Sequence, residues 1–370
     1  LVLKRMDNPI DGILNTSVTW ADFEINLRRS LNTKATLGHG KAVLDIGDGN
    51  GYSSCCGLVT CDWIGAVEEE NLPDVVVIKI PSFIGLRRLN DSLPAGSKIF
   101  DHGEQSWKEM EDGLFEIHNT EVALYRFLGT FDGLAIPRMF YGNAIEDGVK
   151  GQLCIEHVHN SRMMNFYEKH SVEQIKQIAR ALGKIQAFSL KKELTAPELQ
   201  KDFFGNMENT FSLETYRGMF KGILASDSTE ITCQLMARID EILPKYRGSN
   251  LATTIHKQMG FRPVIVNGDL HTGNVLIDKD SGDLAALIDW QCAHLGVGVE
   301  DLHRIAMSAL TTEERRAAMP MLVDEMYTNL VENLEGAEPP YTLDKLRLLS
   351  SLLFPHCALY FVGVFIAMIK

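Results

Sequence analysis

The sequence predicts an α+β fold in two parts, a small antiparallel sheet carrying one main helix and then a larger, mostly helical lobe. Three observations predict it. Short β-like runs crowd the first 158 residues, and long helical periodicities fill most of the remainder. A polar loop between two apolar β runs interrupts the helices near residue 270. A chain of 370 residues accommodates two domains at about 150 residues each, and the change in texture places them at 1–158 and 159–370.

In the first part, Trp20, Phe23, Leu27 and Leu31 recur at helical spacing, so residues 20–31 form a helix. Residues 42–46, 55–62 and 75–80 are short runs rich in β-branched and apolar side chains. Pro81, which cannot donate to a ladder, closes the last of them. Ile117, Val122, Leu124, Tyr125 and Leu128 set a helix over 116–128, and two further strands fit 138–141 and 152–158. In the second part the spacing predicts helices over 171–190, 212–225, 230–243, 300–310, 312–334 and 342–369. The β runs at 263–266 and 285–288 form a hairpin-like insert among them.

Composition narrows the function. Apolar residues at 45% and charged residues at 23% are those of a packed globular chain, which excludes disordered, collagenous and disulfide-scaffold classes. Lys and Arg total 36 against 49 Asp and Glu, a net charge of −13 that disfavours nucleic acid and leans towards a neutral or cationic small substrate. Seven cysteines without a Cys-x-x-Cys pair fit a reduced, cytoplasmic setting. Leu1-Val2-Leu3-Lys4-Arg5 lacks the apolar core of a signal peptide, and the absence of Met leaves the native start open. The apolar run 352–369 contains Pro355, His356 and Gly363, and reads as a buried helix rather than a membrane span. Eleven histidines show no zinc-site spacing, and no Gly-x-Ser-x-Gly elbow is present. Oligomeric state is not readable.

The insert reads Val264-Ile265-Val266-Asn267-Gly268-Asp269-Leu270-His271-Thr272-Gly273-Asn274, and fifteen residues beyond Asn274 stands Asp289, in Ile288-Asp289-Trp290-Gln291. Phosphoryl transfer needs a carboxylate to receive a hydroxyl proton and oxygen ligands for Mg²⁺. Asp269 suits the first role, and Asn274 and Asp289 the second. Gly-Asp and Thr-Gly-Asn are also ordinary turn chemistry, but the spacing to a second Asp after a two-part pattern favours a site.

This constellation resembles the catalytic loop and metal segment of the protein-kinase-like superfamily. Within it, the chain is most similar to the aminoglycoside phosphotransferase and choline kinase branch, and there to the CHK kinase-like (ecdysteroid-kinase-like) family. The likeness runs from about residue 40 to about residue 310. Asn267 stands where that family has a loop-buttressing His. Asp301 is similar to a buried aspartate that anchors the loop, and is equally a helix N-terminal acid. The resemblance implies a two-lobed fold using ATP and Mg²⁺ to phosphorylate a hydroxyl of a small molecule, either steroid-like or an amino alcohol. No long activation segment separates Asp289 from Asp301, which points to a small acceptor.

The first lobe would then hold the nucleotide. Gly47, Gly49, Gly51 and Ser53 form a glycine loop whose backbone N–H groups can close on phosphate oxygens. Lys79 ends a Val-Val-Val-Ile-Lys strand like that of kinases, and Glu121 on the next helix is its expected ion-pair partner. Residues 152–158 resemble a hinge, where backbone groups of Glu156 and Val158 would bond adenine. Two alternatives remain. Asn267 leaves room for a non-catalytic ATP-binding module. Val43-Leu44-Asp45-Ile46-Gly47 also matches the fingerprint of S-adenosylmethionine methyltransferases, or a loose dinucleotide loop, but both need a helix after the glycines. The Cys-, Thr- and Val-rich segment that follows reads as a strand.

Overall fold

A computed structural model of the chain describes residues 12–47, 53–83, 85, 104–165, 167–192, 199, 213–214, 217–218, 220, 229–246 and 251–368. The chain divides into two compact units, one of residues 1–130 and 136–159, the other of residues 131–135 and 160–370.

The first unit opens with helix α1 (Trp20–Leu31). Its N-terminus is closed by a capping box in which the Thr19 hydroxyl accepts the Asp22 N–H while the Asp22 carboxylate accepts the Thr19 N–H. Asn32, in the left-handed region, ends it. Strand β1 (Thr36–Leu37) pairs with β4 (Trp63–Ile64). The main sheet contains β2 (Ala42–Asp45), β3 (Ser54–Thr60), β5 (Val75–Pro81), β6 (Met139–Asn143) and β7 (Gln152–Glu156), in the order β2-β3-β5-β7-β6. Helix α2 (Glu104–Leu128) follows β5. It begins twelve residues before the expected 116, because the polar stretch from Glu104 carries too few apolar residues to mark a period. Val59, Val76, Ile78, Ile80 and Cys154 of the sheet are fully buried with Phe23 and Leu27 of α1. Each such side chain stabilises the fold by roughly 1.5–3 kcal/mol.

The second unit contains β8 (Ser161–Met163), α3 (Val172–Lys191), α4 (Glu230–Tyr246), α5 (Leu251–Met259), β9 (Val264–Val266), β10 (Val275–Asp278), β11 (Leu284–Leu287), β12 (His294–Gly296), α6 (Val299–Ala309), α7 (Thr312–Asn333) and α8 (Leu343–Met368). Helices α3 and α7 approach closely at Gly183, where a Cβ would lie 2.3 Å from the Met326 carbonyl oxygen. Helix α8 buries Leu346, Leu349, Leu353 and Cys357 completely, and no helix among the described residues is long and apolar enough to cross a membrane. The helix expected over 212–225 lies mostly outside the described residues.

One expectation is corrected. The β runs near 264 and 286 do not form a hairpin with each other. Instead β9 pairs with β12, and β11 pairs with β10, which in turn pairs with β8. Val275-Leu276-Ile277 is the hidden strand. It follows the polar loop without a break, so local composition disguised it, and only pairing on both sides fixes it as the centre of a three-stranded sheet. The fold is α+β, with the small antiparallel sheet and its helix in the first unit and the long helices in the second.

Candidate functional site

Strand β9 is buried throughout, and its chain emerges directly into Asn267-Gly268-Asp269. Helix α6 fixes this exit. The Asp301 carboxylate accepts the backbone N–H of Asn267 at 2.7 Å and that of Gly268 at 3.0 Å. Asp301 is therefore a loop anchor, beyond being an acid at a helix start. Burial pushes its carboxyl up to about 6, against the opposing pull of the two N–H donors. Gly268 turns with φ +80°, and a Cβ there would lie 2.3 Å from the Cys292 carbonyl oxygen. Asn267 is completely buried; its side-chain oxygen accepts the Asp269 N–H at 3.0 Å, and its amide nitrogen donates to the Asp289 carbonyl at 3.0 Å.

The β10–β11 hairpin brings the other two residues to the same end. Val275 lies opposite Leu287, and the Ile288 N–H donates to the Asn274 carbonyl at 3.0 Å, so Asn274 enters the hairpin where Asp289 leaves it. The Asn274 side-chain amide donates to the Asp269 carbonyl at 2.9 Å, which directs its nitrogen to the loop and leaves the carbonyl oxygen for another partner. Asp269, Asn274 and Asp289 are thus gathered by hydrogen bonds that run through the backbone of each. Asp289 holds a left-handed φ of +58°, a conformation that costs a non-glycine residue roughly 1–3 kcal/mol. An amide oxygen and a carboxylate fit Mg²⁺, which takes few protein ligands and is completed by water and phosphate oxygens. Among the described residues no cluster of three or more His, Cys, Asp or Glu side chains is disposed for a metal.

His271 sits within the loop with Nδ1 accepting the Gly273 N–H at 3.0 Å, and burial lowers its ring to about 4, so it is neutral at pH 7. Beneath the loop lies a buried charge group. Arg304 Nη2 and Glu300 Oε1 are 2.7 Å apart, and His294 Nε2 is 3.3 Å from Glu300 Oε2. Burial alone would push the Glu300 carboxyl up, but His294 and Arg304 hold it well below the usual carboxylate range. The spacing of Glu300 and Arg304 was visible in sequence. The part played by His294, from a strand that composition did not mark, was not.

In the first unit, Lys79 Nζ lies 2.7 Å from Glu121 Oε2, with side chains 11% and 2% exposed. Strand register sets Lys79 between Cys56 of β3 and Leu153 of β7. Nearby His118 bonds the Asn143 carbonyl at 2.8 Å, and burial lowers its ring to about 4. Gly47 donates its N–H to Asp45 Oδ1 at 2.9 Å, and the Ser53 carbonyl accepts the Ser82 N–H at 3.1 Å, while Gly49 and Gly51 lie outside the described residues. Glu156 is exposed; its N–H donates to the Arg138 carbonyl at 2.8 Å, and its carboxylate accepts the Arg138 N–H at 3.1 Å. Val158, two residues further, is half-buried. After the glycines the chain enters β3, antiparallel to β2 with Asp45 opposite Gly57. A strand therefore stands where a methyltransferase or dinucleotide site needs a helix.

The family model described as "Uncharacterized oxidoreductase dhs-27" (DUF1679) matches residues 6–370. The chain belongs to the DUF1679 family. A relative from Caenorhabditis elegans, the "Uncharacterized kinase-like protein D1044.1", is 26% identical to this DUF1679 protein over 232 residues, which are 61% of the chain and 60% of the relative. The chain thus spans about 60% of the length of that relative. Among solved structures, a microcompartment-associated aminopropanol kinase is 12% identical with a TM-score of 0.49, covering 93% of this chain and 88% of that one. Macrolide 2'-phosphotransferase MphH from Brachybacterium faecium is 15% identical with a TM-score of 0.42, covering 92% of each. At these identities the likeness concerns the course of the chain alone, and no residue role follows from it.

Proposed function

We propose that the protein is a small-molecule kinase that moves the γ-phosphoryl group of ATP to a hydroxyl of its acceptor. The observation that carries this reading is the hydrogen-bonded convergence of Asp269, Asn274 and Asp289 at one end of the β10–β11 hairpin. Asp269 orients the acceptor hydroxyl and receives its proton as the new O–P bond forms. The bond from the γ-phosphorus to the bridging oxygen breaks, and ADP leaves. Bound Mg²⁺ would offset the phosphate charge, with Asn274 and Asp289 as its protein ligands. Lys79, oriented by Glu121, binds the α- and β-phosphates, helped by Gly47, Gly49, Gly51 and Ser53, and Glu156 and Val158 offer backbone groups to adenine. The kinase-like name of the nematode relative agrees with this reading. Its functional boundary lies at 158/159, the acceptor is steroid-like or an amino alcohol, and the setting is cytoplasmic, in keeping with a low cysteine count and no Cys-x-x-Cys pair.

The family description names an oxidoreductase, which brings a second reading into view. A dinucleotide site of the usual kind is built on a parallel sheet with a helix after the glycine loop. Here every strand pairing among the described residues is antiparallel, which favours the kinase. Thermal-shift assays with Mg·ATP, NAD(P)H and S-adenosylmethionine separate the readings, since only a ligand of the native state raises Tm. Stabilisation by a reduced nicotinamide cofactor and not by Mg·ATP would sink the proposal. Asp269→Asn should preserve ATP binding and lower acceptor-dependent ADP release by about 10²–10⁴-fold. A wild type that binds Mg·ATP yet phosphorylates no member of a library of sterols, amino alcohols and sugars would be a binding module instead.

A further inference from the structure

We infer that Asn267 is a positioning residue that couples the catalytic loop to the metal segment, setting cation affinity by holding the main chain of Asp289. The inference rests on the phosphotransferase reading above. Asn267 spans two segments twenty residues apart in sequence: its oxygen accepts from the Asp269 N–H and its amide nitrogen donates to the Asp289 carbonyl. The same nitrogen lies 3.5 Å from the Ile288 carbonyl, so it faces both peptide carbonyls that flank the Asp289 Cα.

Those carbonyls flank a residue under strain. Asp289 has a φ of +58°, and a non-glycine residue stays there only where its surroundings hold it. Asn267 is suited to hold it because its own position is fixed. Its N–H is bonded to the Asp301 carboxylate at 2.7 Å, its side chain is fully buried, and water has no access to replace it. Its polarity is equally determined. A flipped amide would set nitrogen against the Asp269 N–H and oxygen against the Asp289 carbonyl, losing both bonds. One side chain with a donor end and an acceptor end therefore ties the proton-accepting segment to the ligand-bearing one. Without it, Asp289 can relax towards negative φ and carry its carboxylate out of place.

The test titrates Mg²⁺ against the full-length protein at saturating ATP, reading Tm, with a parallel series of ATP in EDTA. Asn267→Ala should raise the half-saturating Mg²⁺ concentration on the order of tenfold or more, as loss of a group that orients a metal ligand does. The shift given by ATP in EDTA should match the wild type. Asp289→Ala should abolish the Mg²⁺-dependent increment, and Asn267→Ala added to it should change nothing further, because Asn267 acts through Asp289. If Asn267→Ala does not fold, Asn267→Ser, which keeps a hydroxyl and leaves a smaller cavity, takes its place. A variant with lowered Tm and an unchanged Mg²⁺ half-saturation overturns the inference, as does a further loss of nucleotide affinity in the double variant. A wild type with no Mg²⁺-dependent increment overturns the phosphotransferase reading itself, and this inference with it.

Discussion

Gly268 donates its backbone N–H to the Asp301 carboxylate at 3.0 Å while turning through φ +80° against the Cys292 carbonyl. Two constraints meet at this residue, a left-handed backbone and an approach of 2.3 Å that leaves no room for a Cβ. Gly268→Ala should therefore destabilise the protein by about 2–4 kcal/mol, combining unfavourable φ with a backbone clash. Urea unfolding measures it. A loss under about 0.5 kcal/mol, the scale of an ordinary surface substitution, would mean that the loop does not have this geometry.

The Lys79–Glu121 pair separates structural from functional roles. Both groups are largely buried, so removing one partner withdraws the nearest countercharge from the other. Lys79→Met should cost about 3–5 kcal/mol and abolish nucleotide-induced stabilisation. Adding Glu121→Leu should recover much of the stability and none of the nucleotide response. Recovery of both would dissociate the pair from nucleotide binding.

A similar comparison applies under the loop, where Arg304 and Glu300 are sealed together. Arg304→Leu alone withdraws the guanidinium from the buried Glu300 carboxylate, and should cost about 3–5 kcal/mol. Thermal unfolding of Arg304→Leu and of Arg304→Leu/Glu300→Leu should place the single variant below the double. The reverse order would show that the carboxylate tolerates isolation.

Acid should destabilise the chain through its buried imidazoles, which besides His271 of the loop include two that bond backbone carbonyls. His118 and His303 are each lowered to about 4 by burial, and each ring nitrogen Nε2 bonds a backbone carbonyl, Asn143 and Ser350 respectively. Their contribution to stability is therefore fully present above pH 6.5, the unfolded value, and is lost as pH falls through about 4. Across that window each adds a slope of up to about 1.4 kcal/mol per pH unit. His118→Gln should flatten the loss, measured as urea unfolding midpoints at pH 7, 6 and 5. An unchanged slope would place the proton uptake elsewhere.

The sequence by itself determined the helices over 20–31 and 171–190, the central strand that carries Lys79, and the pairing of Lys79 with Glu121 as an expectation. These follow from short-range rules, because side-chain periodicity of 3.6 or 2 and Pro81 at a strand end act within a few residues. Spacing also singled out Asp269, Asn274 and Asp289, since loop chemistry of that kind is written in contiguous residues. The partners of the strands were decided by tertiary structure alone. Val264–Val266 could have paired with its apolar neighbour at 285–288, and nothing local tells β9 that His294–Gly296 is its partner. Pairing is a matter of which edges remain once the three-stranded sheet of β8, β10 and β11 has formed. Asn267 makes the same point at the site. In sequence it is a departure from a resembling family's histidine; in the folded chain it is a buried amide whose two ends satisfy groups on Asp269 and Asp289. No local rule could anticipate this, because the need for one donor and one acceptor arises only when folding brings those two backbones within 3.0 Å of the same side chain and excludes water from between them.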